Sequence, residues 1–187
     1  MNHPLTDALY ELAETAKRTA DQLSGQIEQA AAMVRSTLEQ GGMLLFCGNG
    51  GSAADAQHMA TEYVVRYMKD RRAYAAIALT TDTSLLTAAG NDLGFDHIFS
   101  RQVEALGRPG DLLIIHSTSG NSPNVVEAAK AARAKGLKVL SLSARDGGAL
   151  VAVSDLTLVV PTTRTDRAQE VHLCLQHLIC ESIEGTI

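Results

Sequence analysis

The sequence predicts a doubly wound α/β fold: a five-stranded parallel sheet with helices on both faces (SIS-like, as argued below), preceded by an N-terminal helical segment. Three observations predict it. Five short apolar runs, at residues 43–47, 73–79, 112–115, 137–143 and 156–160, alternate with stretches of helical periodicity, the pattern of βαβ units. The third run, Leu-Leu-Ile-Ile, shows no polar alternation, as expected of a strand covered on both faces. Loops rich in glycine and hydroxyl side chains follow the first and third runs, and ligands of such sheets sit beyond the carboxyl ends of the strands. With 187 residues and no linker, internal repeat or shift of composition, the chain reads as one domain, 1–187.

Between residues 5 and 40, Leu9, Leu12, Ala16, Ala20, Leu23, Ile27, Ala30, Val34 and Leu38 fall three or four apart. This predicts one long helix or a helical pair, ended by Gly41 and Gly42. Its stripe is longer than one small sheet covers, so segment 1–41 is expected to pack between subunits of a homo-oligomer, with packing along its own domain the alternative. After the first strand, Gly48, Asn49, Gly50 and Gly51 break the chain, and Ser52 is placed to cap a helix from 53 onward. The second strand leads through a polar turn at 80–84 to a helix at 85–89, interrupted by Gly90, Asn91 and Asp92. Helix resumes over 95–106, with Phe95, Ile98, Phe99, Val103 and Leu106 on one face, and Arg108-Pro109-Gly110 turns the chain. Pro123 opens a helix over 124–135. The fourth strand, the turn Asp146-Gly147-Gly148 and the fifth strand follow. The last helix, 167–184, is apolar on more than one side and should be largely buried, so Gln169, His172, Gln176 and His177 need partners or a place in a site. His172 reads as structural.

Composition excludes several classes. A hydrophobic fraction of 45% with 20% charged residues suits a soluble globular protein, and no apolar run approaches the roughly 18 residues of a membrane helix. The acidic, discontinuous N-terminal stretch is not a secretion signal, so a cytoplasmic protein without a membrane partner is expected. A net charge of -5 and the lack of any long basic run argue against a nucleic-acid partner. Cys47, Cys174 and Cys180 form neither a disulfide framework nor a zinc-finger pattern and read as small buried residues.

The chemistry concentrates in two loops. Gly48, Asn49, Gly50, Gly51 and Ser52 let backbone N–H groups approach an anion at a helix N-terminus, although any tight α/β connection needs the same residues. No Walker lysine follows and the spacing is not that of a dinucleotide fingerprint, so no nucleotide cofactor is expected. His116, Ser117, Thr118, Ser119, Gly120, Asn121 and Ser122 carry more hydroxyls than one helix cap requires and favour a phosphate monoester. His58 and Glu62, four apart, share one helix face.

These loops, together with His58-x-x-x-Glu62, Gly90-Asn-Asp-Leu-Gly-Phe95, Asp166-Arg-Ala-Gln-Glu170 and His177, resemble the sugar isomerase (SIS) fold family and, within it, the phosphoheptose isomerases, over nearly the whole chain. The resemblance implies interconversion of sedoheptulose 7-phosphate and D-glycero-D-manno-heptose 7-phosphate through an enediol. This is the entry step to ADP-heptose and the heptoses of bacterial surface polysaccharide such as lipopolysaccharide. It implies Glu62 as base and His177 as acid, the two groups that moving a carbonyl between C1 and C2 requires. It further implies substrate contacts from Asn49, Gly50, Gly51, Ser52, Glu62, Asn91, Asp92, Ser117, Thr118, Ser119, Ser122 and Gln169, and a homotetramer. A zinc ion on His58, Glu62, Gln169 and His177 is implied as well. Eight residues of straight helix span about 12 Å, so Gln169 and His177 share an ion only if their side chains converge or Gln169 precedes the regular helix. A non-catalytic SIS module, such as a replication-initiation adaptor, accounts for the loops but not for Glu62 with His177. An isomerase of another ketose phosphate is the nearer alternative.

Overall fold

The computed structural model describes residues 4–184 and 186–187; residues 1–3 and 185, which fall within the expected single-domain span, lie outside the described residues. The chain runs α1 (Pro4–Glu39), β1 (Leu44–Gly48), α2 (Gly51–Val64), β2 (Ala76–Ala78), α3 (Thr83–Asp92), a 3-10 turn (Phe95–His97) and α4 (Ser100–Leu106). It continues with β3 (Leu112–His116), α5 (Pro123–Ala134), β4 (Lys138–Ala144), α6 (Leu150–Val153), β5 (Leu156–Val160) and α7 (Thr165–Ile183). All five strands are parallel, in the order β2-β1-β3-β4-β5.

Alternate side chains of each central strand feed two cores, as the pleat dictates. Leu44, Phe46, Leu112, Ile114, Leu140 and Leu142 pack with α1, α2 and α7 on one face, while Leu45, Cys47, Leu113, Ile115 and Val139 meet α3 to α6 on the other. The chain steps from β1 outward to β2, then returns to β3 on the opposite side of β1. This reversal opens a crevice at the carboxyl ends of β1 and β3, where Gly48 pairs with His116. Both special loops therefore leave the sheet side by side.

The N-terminal segment is a single helix, and its expected stripe divides in two. Leu23, Ala30, Val34 and Leu38 are buried, whereas Leu9 is 65% exposed, as is Tyr10 next to the stripe at 73%. Thr15 and Thr19 sit on the buried face because their hydroxyls donate to the carbonyls of Glu11 and Thr15, each at 2.8 Å. Helix α1 packs along α7, joined by Arg35 donating to the Ser182 carbonyl and Arg167 donating to the Ala8 carbonyl.

Four local expectations are corrected. The second strand pairs over three residues only, while Tyr74 before it donates its N–H to the Tyr63 carbonyl at 3.1 Å and lies beneath the guanidinium groups of Arg71 and Arg72, and a short edge strand resists pairing with other chains. Gly90, Asn91 and Asp92 do not interrupt a helix but complete α3, which Asp82 caps by accepting from Leu85 N–H at 2.9 Å. The break falls instead at Gly94, at φ 89°, so the helix expected over 95–106 divides into a 3-10 turn and α4. Cys174 is exposed, since it lies on the outer side of α7. Among the described residues no helix is long and apolar enough to cross a membrane.

Candidate active site

The glycine loop is shaped by close backbone approach. A Cβ on Gly48 would lie 2.7 Å from the Ser52 carbonyl oxygen and 2.8 Å from that of His116, so only glycine joins β1 to α2 here. Gly50, at φ 58°, is the residue before the first turn of α2, and Ser52 lies buried inside that turn without capping it. The expected serine cap fails because the sharp turn demands a left-handed residue. In the second loop Gly120 N–H donates to the Ser117 carbonyl at 3.1 Å, and Ser122 precedes Pro123 without spending its hydroxyl on a cap. Asn49 and Asn124 exchange two amide hydrogen bonds of 2.8 Å, which tie the loops together.

Between them lies a cavity of about 280 Å³, lined by Asn49, Gly50, Gly51, Ser52, His116, Ser117, Thr118, Ser119, Ser122, Thr165 and Gln169. The N-termini of α2, α5 and α7 open near it, so helix-terminal N–H groups and the hydroxyls of Ser52, Ser117, Thr118, Ser119, Ser122 and Thr165 gather around the same space. That is the chemistry of a phosphate cradle. A larger cavity of about 500 Å³ adjoins it at Asn49 and Gly50, lined further by Thr80, Thr87, Phe95, Ile98 and Phe99.

The second feature stands at the other end of α2 and α7. His58 and Glu62 meet at 3.0 Å between Nε2 and Oε1, and His177 presents its ring edge-on to His58, with centroids 5.1 Å apart. One ligand atom from each of the three lies within 4.8 Å of the others. Glu62 and His177 therefore meet within one chain. Burial, and then the neighbouring His58, lowers the His177 pKa, against an opposing pull from Glu62, so its imidazole is neutral near pH 7 and can both donate and accept. Tyr67, unremarked in the sequence, lies flat on His177, with centroids 5.2 Å apart and planes at 15°.

Not every expected site residue joins these two groups. Gln169 lies inside the regular helix α7, and its amide faces Gly51 in the loop cavity. That places it two turns, about 12 Å, before His177. Asn91 and Asp92 stand exposed at the end of α3, hydrogen-bonded to each other at 2.7 Å and outside the loop cavity. His172 is buried and donates from Nε2 to the Ser143 carbonyl at 3.0 Å, the structural role expected, whereas the buried Gln176 amide finds no partner among the described residues. His116 and Thr165 join the cavity lining without a sequence signal beyond their neighbours.

Comparison with known proteins decides the family. The SIS domain model matches residues 9–144. The phosphoheptose isomerase of Rhodospirillum rubrum is 53% identical over 161 residues, covering 86% of each chain. That of Akkermansia muciniphila is 46% identical over 187 residues, 100% of this chain and 98% of the relative. The chain belongs to the phosphoheptose isomerase family. Its fold is that of the phosphoheptose isomerase GmhA from Neisseria gonorrhoeae, with a TM-score of 0.92 at 47% identity and 97% of both chains covered.

The family resemblance also implies a zinc ion, and the donor set fits one. Two imidazoles and a carboxylate, converging and partly open to solvent, are donors of the kind that zinc takes.

Proposed function

We propose that this chain is an aldose–ketose isomerase that interconverts sedoheptulose 7-phosphate and D-glycero-D-manno-heptose 7-phosphate, acting as a cytoplasmic homotetramer. The observation that carries the chemistry is the meeting of Glu62, His58 and His177 within one chain. Glu62 removes the carbon-bound proton and returns it to the neighbouring carbon, while neutral His177 moves a proton between the two oxygens of the enediol. Ser117, Thr118, Ser119 and Ser122, with Asn49, the N–H groups of Gly50 and Gly51 and the side chain of Ser52, hold the phosphate. His58, Glu62 and His177, with Gln169, would hold zinc, which when bound polarises the sugar carbonyl.

One distance shapes this reading. Along α2, Gly51 and Glu62 are separated by about 16 Å, and along α7, Gln169 and His177 by about 12 Å. A seven-carbon phosphate built from bonds of about 1.5 Å reaches only about 10 Å when extended. The loop cavity of one copy therefore serves the His58–Glu62–His177 cluster of another, and Gln169 completes the cluster across that contact. The exposed Leu9 and Tyr10 of α1, and Val64, Val65 and Met68 beside the cluster, supply apolar surface for such an assembly.

Turnover of sedoheptulose 7-phosphate, followed by NMR beside a panel of shorter ketose phosphates, tests the proposal. Isomerisation of the heptose phosphate in preference to the others is expected. Binding of all without turnover would favour the non-catalytic phosphosugar module instead.

A further inference from the structure

Where α2 and α7 end, a hydrogen-bond network is built around one carboxylate. Glu184, at the end of α7 and 2% exposed, accepts from three successive backbone N–H groups: Tyr67 at 2.8 Å, Met68 at 2.7 Å and Lys69 at 2.7 Å. Arg71 Nε lies 3.2 Å from the same carboxylate. The remaining Arg71 nitrogens donate to the carbonyls of Glu62 at 2.6 Å and Tyr63 at 3.0 Å, which satisfies acceptors left open at the end of α2. Burial pushes the Glu184 pKa up, but the three N–H groups and Arg71 more than reverse this and keep the carboxylate charged.

This network bears on the reacting groups through two short paths. The segment that Glu184 grips begins at Tyr67, whose ring lies flat on His177. With His58 edge-on at 70°, the imidazole is held on a face and an edge. The carbonyl that Arg71 grips at 2.6 Å belongs to Glu62 itself. We infer that Glu184 and Arg71 are positioning residues that fix both proton-transfer groups at once, Glu62 through its own backbone and His177 through Tyr67. This rests on the isomerase reading above. Neither residue touches the reacting atoms. Their effect is on aim, and a misplacement of about 1 Å can cost on the order of 10²-fold in rate.

The test is a double-mutant cycle between Glu184→Gln and Tyr67→Ala, with kcat and KM measured for each variant on sedoheptulose 7-phosphate. Each single change should lower kcat by about 10²-fold with KM little altered, and the double variant should be no worse than Glu184→Gln alone, because Tyr67 lies on a path that the loss of Glu184 already disturbs. Tyr67→Phe, which keeps the ring, should rescue the loss seen in Tyr67→Ala. Apart from activity, the His177 ring-proton resonances should move in Glu184→Gln as they do in Tyr67→Ala, because both withdraw the aromatic face. If Glu184→Gln fails to fold, Glu184→Asp keeps the charge but falls one methylene short of the three N–H groups and should show the same pattern. An unaffected kcat, losses that multiply in the double variant, or unmoved His177 resonances would overturn the inference. An inactive parent enzyme, by contrast, would count against the isomerase reading itself, and the resonance shifts would still decide the coupling.

Discussion

Two crippled chains should repair each other if the loop cavity of one copy faces the proton-transfer cluster of the next. Glu62→Gln removes the base and leaves the phosphate cradle whole. Ser119→Ala with Ser122→Ala strips the cradle and leaves the cluster whole. Within a chain the two features are about 12 to 16 Å apart along α7 and α2, beyond the reach of about 10 Å available to the substrate. At substrate concentrations well below the weakened affinity of the cradle variant, each altered protein alone should turn over slowly. In oligomers assembled at random from equal amounts of both, about one site in four pairs an intact cluster with an intact cradle. Recovery of about a quarter of the wild-type rate per chain is the expected result. Co-expression with two affinity tags and tandem purification ensures mixed oligomers, and NMR of the heptose phosphates measures the rate. Mixed oligomers no more active than their parents would refute the reasoning and place cradle and cluster of one chain in a single site.

Glu62→Gln and His177→Gln should each lower turnover by at least about 10²-fold while substrate still binds, and solvent deuterium should enter the wild-type product at C2; deuterium-free product made in heavy water would count against Glu62 as the base. The double change at Ser119 and Ser122 should weaken phosphosugar binding by roughly 1 kcal/mol or more per charge-assisted hydrogen bond lost, and calorimetry showing unchanged affinity would dismiss the cradle. Stability should also depend on pH through two buried imidazoles. Burial, and then His172, pushes the His116 pKa down to about 3, and burial pushes that of His172 down to about 4. Because both lie below the ordinary 6.5, the stability that goes with neutral rings is complete above pH 6.5 and is lost as pH falls toward those values. Each contributes up to about 1.4 kcal/mol per pH unit in that window. Denaturant midpoints at pH 7 and pH 5 should differ accordingly, and a His172→Gln variant with an unaltered pH dependence would contradict this.

What the sequence made legible was local. Short apolar runs and their helical connectors located all five strands, because a strand buried on both faces leaves no polar alternation to misread. His58 and Glu62 were legible as a pair because four residues is one helical turn. The glycine at φ 89° that truly ends α3 was hidden by a nearer Gly90, which the helix absorbs. The exposed Cys174 was misjudged because α7 is apolar on several sides, so its outward face could not be read from the pattern. Gln169 and Gly51 were both named as substrate contacts through the family resemblance without their direct approach being legible, and Tyr67 on His177 and Glu184 beneath residues 67–69 had no signal at all. Each of these contacts joins residues more than a hundred positions apart, and only the folded sheet brings them together.

The packing of α1 along α7 has a kinetic consequence. Helix α1, made before every strand of the sheet, finds its cover in α7, made after them all, with Arg167 reaching Ala8 across 159 residues and Arg35 reaching Ser182 across 147. Until α7 is synthesised, the part of that core which it covers, between α1 and the sheet, stays open to water or to a chaperone. Contacts so distant in sequence are closed late and slowly. A nascent chain stalled before residue 165 would hold every strand yet lack the helix that carries His177 and seals that core. Folding should therefore be completed only once α7 is available, with acquisition of the proton-transfer residue and closure of the domain as one event.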